Sequence, residues 1–249
     1  RDARGREQAL FTPARQKAMW SLVTPIPISE PKVEALKVAK PHFLGYGEGW
    51  MVSDFQGRKL VWHTGGWPGM VSRVTLVPEQ KLGVVVLTNQ EVGAAFHAIT
   101  LKVLDAYLAN SGTDWLAAYQ AQVAQARGDA DAHWQKLQAA RDATSKPSLP
   151  LAKYAGTLRD PWYGDVVVAQ EGDGLVLRFS RTPELVGDLQ PWQHDTFVVR
   201  WRERWLNADA FLTFSLKPDG GIREARMEAI SPLTDFSFDF HDLRLTPVE

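Results

Sequence analysis

Trp62-His-Thr-Gly-Gly-Trp-Pro-Gly69 is the stretch on which the fold of this chain turns. An apolar strand, Lys59-Leu-Val-Trp62, runs into an imidazole, a hydroxyl and two residues without side chains. Glycine has no Cβ, so a ligand can come close to the strand there. An exposed N–H at such a position can point at an oxyanion. His63 and Thr64 add a titratable ring and a hydroxyl to the same edge. The tetrapeptide by itself also describes a plain strand ending in a glycine turn, so its surroundings have to decide.

Upstream, Tyr46-Gly-Glu-Gly-Trp-Met-Val52 reads as a short strand joined to Lys59–Trp62 through a turn at Asp54–Gly57. Downstream, Val71-Ser-Arg-Val-Thr-Leu-Val77 is β-rich and stops at Pro78. Gly83-Val-Val-Val-Leu-Thr-Asn89 is an unalternating apolar run one strand long, which predicts burial on both faces. Loops as short as Pro78-Glu-Gln-Lys81 make an antiparallel meander the economical topology. Phe96, Ile99, Val103, Leu104, Tyr107 and Leu108 fall at steps of three and four, predicting a helix that packs this face on the sheet and ends at Asn110-Ser-Gly112.

Thr113 or Asp114 can cap a second helix carrying Trp115, Leu116 and Tyr119. Gly128-Asp129 is expected to break it before a further piece with Trp134 and Leu137. Lys146-Pro-Ser-Leu-Pro150 is a stiff linker and marks a domain boundary. Beyond it the chain reads as all-β. Leu175, Leu177 and Phe179 share a face, as do Phe197, Val199 and Trp201, then Leu212, Phe214 and Leu216, then Phe236, Phe238 and Phe240. Glu171-Gly-Asp-Gly174 and Pro218-Asp-Gly-Gly221 are hairpin turns. Six or more short strands in that span suggest a sandwich or a small barrel. The expected fold is α+β: a sheet-plus-helix domain over residues 1–112, a helical linker over 113–147 and a barrel-like domain over 148–249.

Composition excludes several classes of function. With 249 residues, 45% apolar and 23% charged, the chain can bury one or two cores. A net charge of −1 gives no electrostatic footprint for nucleic acid or an anionic membrane. No run approaches the roughly 20 apolar residues of a spanning helix. The absence of cysteine excludes disulfides, thiolate zinc sites and a Cys nucleophile. No His-x-x-x-His or His/carboxylate grouping suggests a metal, and no cofactor is expected. The charged opening, Arg1 to Gln8, reads as a chain entered partway along. The ten tryptophans fit either half-buried aromatics in β structure or an aromatic-lined ligand site.

Taken in order, Tyr46-Gly-Glu-Gly-Trp50, His63-Thr-Gly-Gly66, Gly69, Ser72, Pro78 and Gly83-Val-Val-Val-Leu-Thr-Asn-Gln90 resemble the C-terminal part of the serine β-lactamases and penicillin-binding-protein-like hydrolases. The class C β-lactamase, D-aminopeptidase and esterase branch is the nearest. The resemblance covers residues 40–110. Residues 151–249, opening with Lys153-Tyr-Ala-Gly156, resemble a lipocalin-like β-barrel domain appended to such hydrolases. The resemblance implies acyl-enzyme chemistry on the amide or ester bond of a small-molecule or peptide substrate, and a periplasmic or secreted location. It puts His63 where the family has Lys or His, contacting a substrate carboxylate or assisting proton movement. Thr64 would hydrogen-bond the substrate, and the Gly66 N–H would be one of two oxyanion donors. Gly65 and Trp67 would line the substrate site. An imidazole in place of the Lys ammonium tilts the expectation towards ester or peptide substrates.

The nucleophile is the departure from the family. The Ser-x-x-Lys pattern occurs only as Ser29-Glu-Pro-Lys32, where Pro31, with Pro25 and Pro27 before it, opposes the helix that should bring Lys to Ser. Tyr107-Leu-Ala-Asn110 has one residue too many for Tyr-x-Asn. In the family both elements precede the His-Thr-Gly strand. The chain is therefore expected to be the C-terminal portion of a longer hydrolase, partnered by the N-terminal half and inactive without it. The competing expectation is a non-catalytic module whose Trp-rich barrel binds an apolar or glycan ligand. His42 reads as a surface loop residue. Asp235, Asp239, His241 and Asp242 read as the solvated side of a strand whose Phe residues point inward.

Overall fold

In the computed structural model, residues 10–248 are described, so the charged opening Arg1–Gln8 lies outside them. Two units result, one up to Gln125 and one from Ala126. The first opens with helix α1 (Pro13–Met19), whose N-cap Thr12 accepts a hydrogen bond from the Arg15 N–H. Strands β1 (Thr24–Pro25), β2 (Leu44–Tyr46), β3 (Met51–Phe55), β4 (Arg58–Trp67), β5 (Met70–Val77) and β6 (Leu82–Leu87) follow. They form one antiparallel sheet in sequential order, the expected meander. Gln56 and Gly57, with φ of 52° and 75°, make the two-residue turn between β3 and β4 that the twist of a hairpin favours.

Strand β4 runs past the expected Trp62 to Trp67. Trp67 faces Met70 across the Pro68-Gly69 turn, where Gly69 takes a φ of +86°. Strand β6 overturns the expectation of burial on both faces. It is the last strand of the sheet, and Val85 and Leu87 are 66% and 77% exposed while Val86 on the opposite face is buried. An unalternating apolar run says that both faces are apolar, not that both are covered.

Helix α2 (Gly93–Leu108) packs on β5 and β6 by a different face from the one expected. Phe96, Thr100, Leu101, Leu104 and Asp105 are buried, whereas Ile99 and Tyr107 are exposed. Asp105 explains the rotation. The Asp105 carboxylate accepts from the Ser111 N–H and hydroxyl and from Trp115 Nε1, which draws that side of the helix inward. Helix α3 (Trp115–Ala140), capped by Asp114 through the Ala117 N–H, is uninterrupted at Gly128. A helical Gly costs about 1 kcal/mol against Ala, which its Ala- and Gln-rich flanks outweigh.

The second unit holds β7 (Gly156–Asp160), β8 (Gly164–Glu171), β9 (Gly174–Phe179), β10 (Val186–Gln193), β11 (Thr196–Trp201), β12 (Ala210–Leu216), β13 (Ile222–Ala229) and β14 (Thr246–Pro247). They make an eight-stranded antiparallel sheet from β13 through to β14. The Ala225–Leu245 bridge brings its two ends together into a nearly closed barrel. Leu177, Phe197, Val199, Trp201, Leu212 and Phe214 fill its interior, each with the alternation expected of its strand. Phe236, Phe238 and Phe240 do not continue the pattern. They lie in two 3-10 turns, Phe236–Phe238 and Phe240–Asp242, the first capped by Asp235 and the two separated by left-handed Asp239. Phe240 is buried but Phe236 is 86% exposed, and Asp239 accepts from the Tyr163 hydroxyl. Among the described residues no helix is long and apolar enough to cross a membrane.

Candidate functional site: the free side of β4

Strand β4 pairs with β5 as far as Trp67 but with β3 only as far as Trp62. His63–Trp67 therefore has a neighbour on one side only. A two-residue hairpin closes on a hydrogen-bonded pair, here Trp67 and Met70. Such pairs alternate with non-bonded ones, so Gly65 bonds Ser72 whereas the backbone groups of Thr64 and Gly66 turn away from β5, to the side where β3 has ended. The opposite neighbour agrees. Val71, which faces Gly66, turns its N–H towards Thr88 Oγ1 at 3.2 Å and its carbonyl to the Thr88 N–H at 3.0 Å.

His63 and Thr64 are half-buried, while Gly65, Gly66 and Trp67 are exposed. A Cβ on Gly65 would fall 2.8 Å from Ser72 Oγ, whereas one on Gly66 would meet nothing within 4 Å. The open space at Gly66 is thus a property of the fold around it, not only of its missing side chain. His63 Nδ1 lies 2.6 Å from the Thr64 carbonyl oxygen and Nε2 lies 3.1 Å from the Tyr46 hydroxyl.

Thr64 stands opposite Arg73, which is only 6% exposed. The Arg73 guanidinium donates to Thr75 Oγ1 and to His97 Nδ1, both at 2.9 Å, and lies 4.1 Å over the Trp62 ring. His97 stacks on Tyr119 with 5.5 Å between ring centroids. Arg73 makes no ion pair among the described residues. Burial pushes it down to about 10, so it stays charged at neutral pH. Burial, and then the Arg73 charge, push His97 down to about 3, so this ring stays neutral.

Ser29 and Lys32 lie on an exposed irregular segment, not a helix. The His42 ring is exposed, with Nδ1 2.7 Å from Asp54 Oδ2. Burial raises the buried Asp54 carboxyl, but hydrogen bonds from the His42 ring and from the N–H groups of His42, Gly57 and Phe43 outweigh this and hold it below its ordinary value. Among the described residues no group of three or more His and carboxylate side chains could hold a metal. Sequence reasoning assigned no part to Tyr46, Arg73 or His97. The signals were available: Tyr46 is flanked by two glycines, and Arg73 sits in phase with Val71, Thr75 and Val77 on an otherwise inward face.

Fold and edge together define a class: an antiparallel sheet backed by a helix, presenting a His-Thr-Gly-Gly strand with one free side, followed by a barrel-like unit. Residues 35–109 match the Beta-lactamase family model, and residues 140–247 match a domain of unknown function, DUF3471. The chain is 25% identical over 233 residues to the Unguisins hydrolase ungD' of Aspergillus campestris (strain IBT 28561), an alignment covering 85% of this chain and 40% of that protein. Among solved structures it is similar to SurE, at 17% identity and a TM-score of 0.32, covering 93% of this chain and 41% of that one. It is also similar to the octameric penicillin-binding protein homologue from Pyrococcus abyssi, at 18% identity and a TM-score of 0.31, covering 92% and 40%. The chain spans about two fifths of the length of these relatives. Through residues 35–109 it is similar to the serine β-lactamase and penicillin-binding-protein-like hydrolases.

Proposed function

We propose that this chain supplies one wall of the active site of a longer serine hydrolase, which cleaves an amide or ester bond of a small-molecule or peptide substrate through an acyl-enzyme. The observation that carries this is the free side of β4 beyond Trp62, to which the Gly66 N–H turns and where no strand pairs with it. A tetrahedral intermediate is stabilised by donors already aimed at its oxyanion, and one such donor is worth about 3–4 kcal/mol. Gly66 takes that part, Thr64 offers a hydroxyl, Gly65 allows close approach and His63 shapes the polar groups at this edge, its ring lying on the Thr64 carbonyl. Trp67, 73% exposed, adds a flat apolar surface for the substrate.

The nucleophilic Ser and its Lys are assigned to a segment upstream of this chain. The apolar strip of Val85 and Leu87 on the outer face of the end strand supports such a covering segment, because contiguous exposed apolar surface marks a face that another segment covers. The name of the fungal relative supports hydrolysis as the reaction class. The filled barrel interior argues against the competing binding module in its simplest form, with an apolar ligand inside the barrel.

The test is to produce the parent protein with its upstream segment, label it with a covalent serine probe, and assay a chromogenic ester and a β-lactam. Acylation of a serine upstream of residue 1, with ester turnover, is the expected result. A parent that yields no acylated serine ends this reading.

A further inference from the structure

We infer that Tyr46 is a positioning residue for His63: its hydroxyl favours the Nδ1-protonated tautomer of the neutral ring and keeps the Nδ1–H directed at the Thr64 carbonyl. The consequence for catalysis rests on the function proposed above, but the geometry stands in this chain by itself.

The His63 ring has two neighbours of opposite character. A carbonyl oxygen can only accept, so Nδ1, 2.6 Å from the Thr64 oxygen, carries the proton. In the neutral ring Nε2 then has a bare lone pair, and the Tyr46 phenol, 3.1 Å away, donates to it. The two rings meet edge to face, with centroids 5.9 Å apart. Both nitrogens are thereby engaged within the chain.

Tyr46 is itself held by a bracket that only glycine permits. A Cβ on Gly45 would fall 2.6 Å from Leu22 Cγ, and one on Gly47 would fall 2.6 Å from the carbonyl oxygens of Met19 and Ser21. Backbone oxygens cannot swing aside, so the strand carrying Tyr46 lies against residues 19–22 only because both of its neighbours lack side chains. Lys59 Nζ donates to the Trp20 carbonyl at 2.6 Å and ties the same segment to β4. The hydroxyl is therefore placed over His63 by three elements at once.

The arrangement bears directly on the free side of β4. The Thr64 carbonyl and the Gly66 N–H turn to the same side, and an uncovered carbonyl dipole there would repel an oxyanion bound at Gly66. The His63 Nδ1–H covers that oxygen. Tyr46, by occupying Nε2, keeps the ring in the one tautomer that can do so.

The test uses this chain labelled with 15N in histidine, with the His63 ring signals assigned by their loss in His63→Gln. The wild type is expected to show His63 as a single Nδ1-protonated tautomer. Tyr46→Phe, which keeps the ring and removes only the hydroxyl, is expected to add an Nε2-protonated population at His63 alone, with an unchanged melting transition. An Nε2-protonated ring in the wild type, or identical His63 shifts in both proteins, overturns the inference. If Tyr46→Phe does not fold, the wild-type Nε2 shift decides: a 15N shift moved upfield from that of a free lone pair supports donation from the Tyr46 hydroxyl, and one at the free value overturns it. A correct tautomer in this chain beside a parent without an acylated serine would refute the proposed function and leave this arrangement standing.

Discussion

Lowering the pH from 7 to 5 should weaken the first unit through one residue, His97. Its Nδ1 accepts a hydrogen bond from Arg73 and its ring stacks on Tyr119, so a proton on Nδ1 would remove the acceptor and place a second cation beside the guanidinium. Burial and the Arg73 charge bring the ring from an ordinary 6.5 to about 3. A group whose folded value lies below its unfolded one stabilises the fold only while unprotonated. The contribution is complete above pH 6.5 and declines as pH falls towards 3, because the unfolded chain takes up a proton that the folded one refuses. Each pH unit in that window is worth about 1.4 kcal/mol, so the loss between pH 6.5 and 5 is about 2 kcal/mol. Against a typical domain stability of roughly 5–15 kcal/mol that is a large fraction. The carboxylates do not confuse the window. Asp54 and Asp105 start from an ordinary 3.8 and are held lower, so their contribution is intact above that value and lost only beneath it. Urea unfolding followed by tryptophan fluorescence across this range measures the effect. His97→Gln, whose side-chain oxygen can still accept from Arg73 but does not titrate, is the control and should give a flat profile. A flat wild-type profile, or an equal slope in the variant, would refute the reasoning.

Three further outcomes follow from the same geometry. Arg73→Met should reduce the pH dependence of the first unit without abolishing it, since burial is the larger cause of the low His97 value and the Arg73 charge the smaller; the same urea series at pH 6.5 and 5 checks this. Asp105→Ala leaves Trp115 Nε1 and the Ser111 N–H without their acceptor at the α2–α3 junction, and should cost roughly 1–3 kcal/mol for each group that stays buried and unpaired, read as a lower urea midpoint. In the proposed parent hydrolase Gly66→Ala should be tolerated, because nothing stands within 4 Å of its Cβ. Gly66→Pro, which removes an N–H that does not serve the β5 ladder, should lower kcat by about a hundredfold to a thousandfold in the ester assay. Equal activity of the two Gly66 variants would remove Gly66 from the oxyanion site.

Local chemistry was enough for much of this molecule. The Gln56-Gly57, Gly172-Asp173 and Pro218–Gly221 turns, the inward set of Leu175, Leu177 and Phe179, and the Asp114 cap are each specified within a few residues of themselves. So is the order His63-Thr-Gly-Gly66, because these four residues sit side by side on one strand. What depended on distant neighbours was not legible. The outer face of β6 reads as core until the sheet is seen to end there. The face of α2 reads from its apolar residues until Asp105 is found bonded to Trp115, and the Phe236–Phe240 alternation reads as a strand until Asp235 caps a turn. The same holds at the site. The side to which the Gly66 N–H points follows from where β3 stops pairing and how the Pro68-Gly69 hairpin closes. The partners of His63 and Arg73 come from β2 and α2. Periodicity and turn chemistry act along the chain, whereas coverage, hydrogen-bond partners and charge environment are set by whichever segments folding brings alongside.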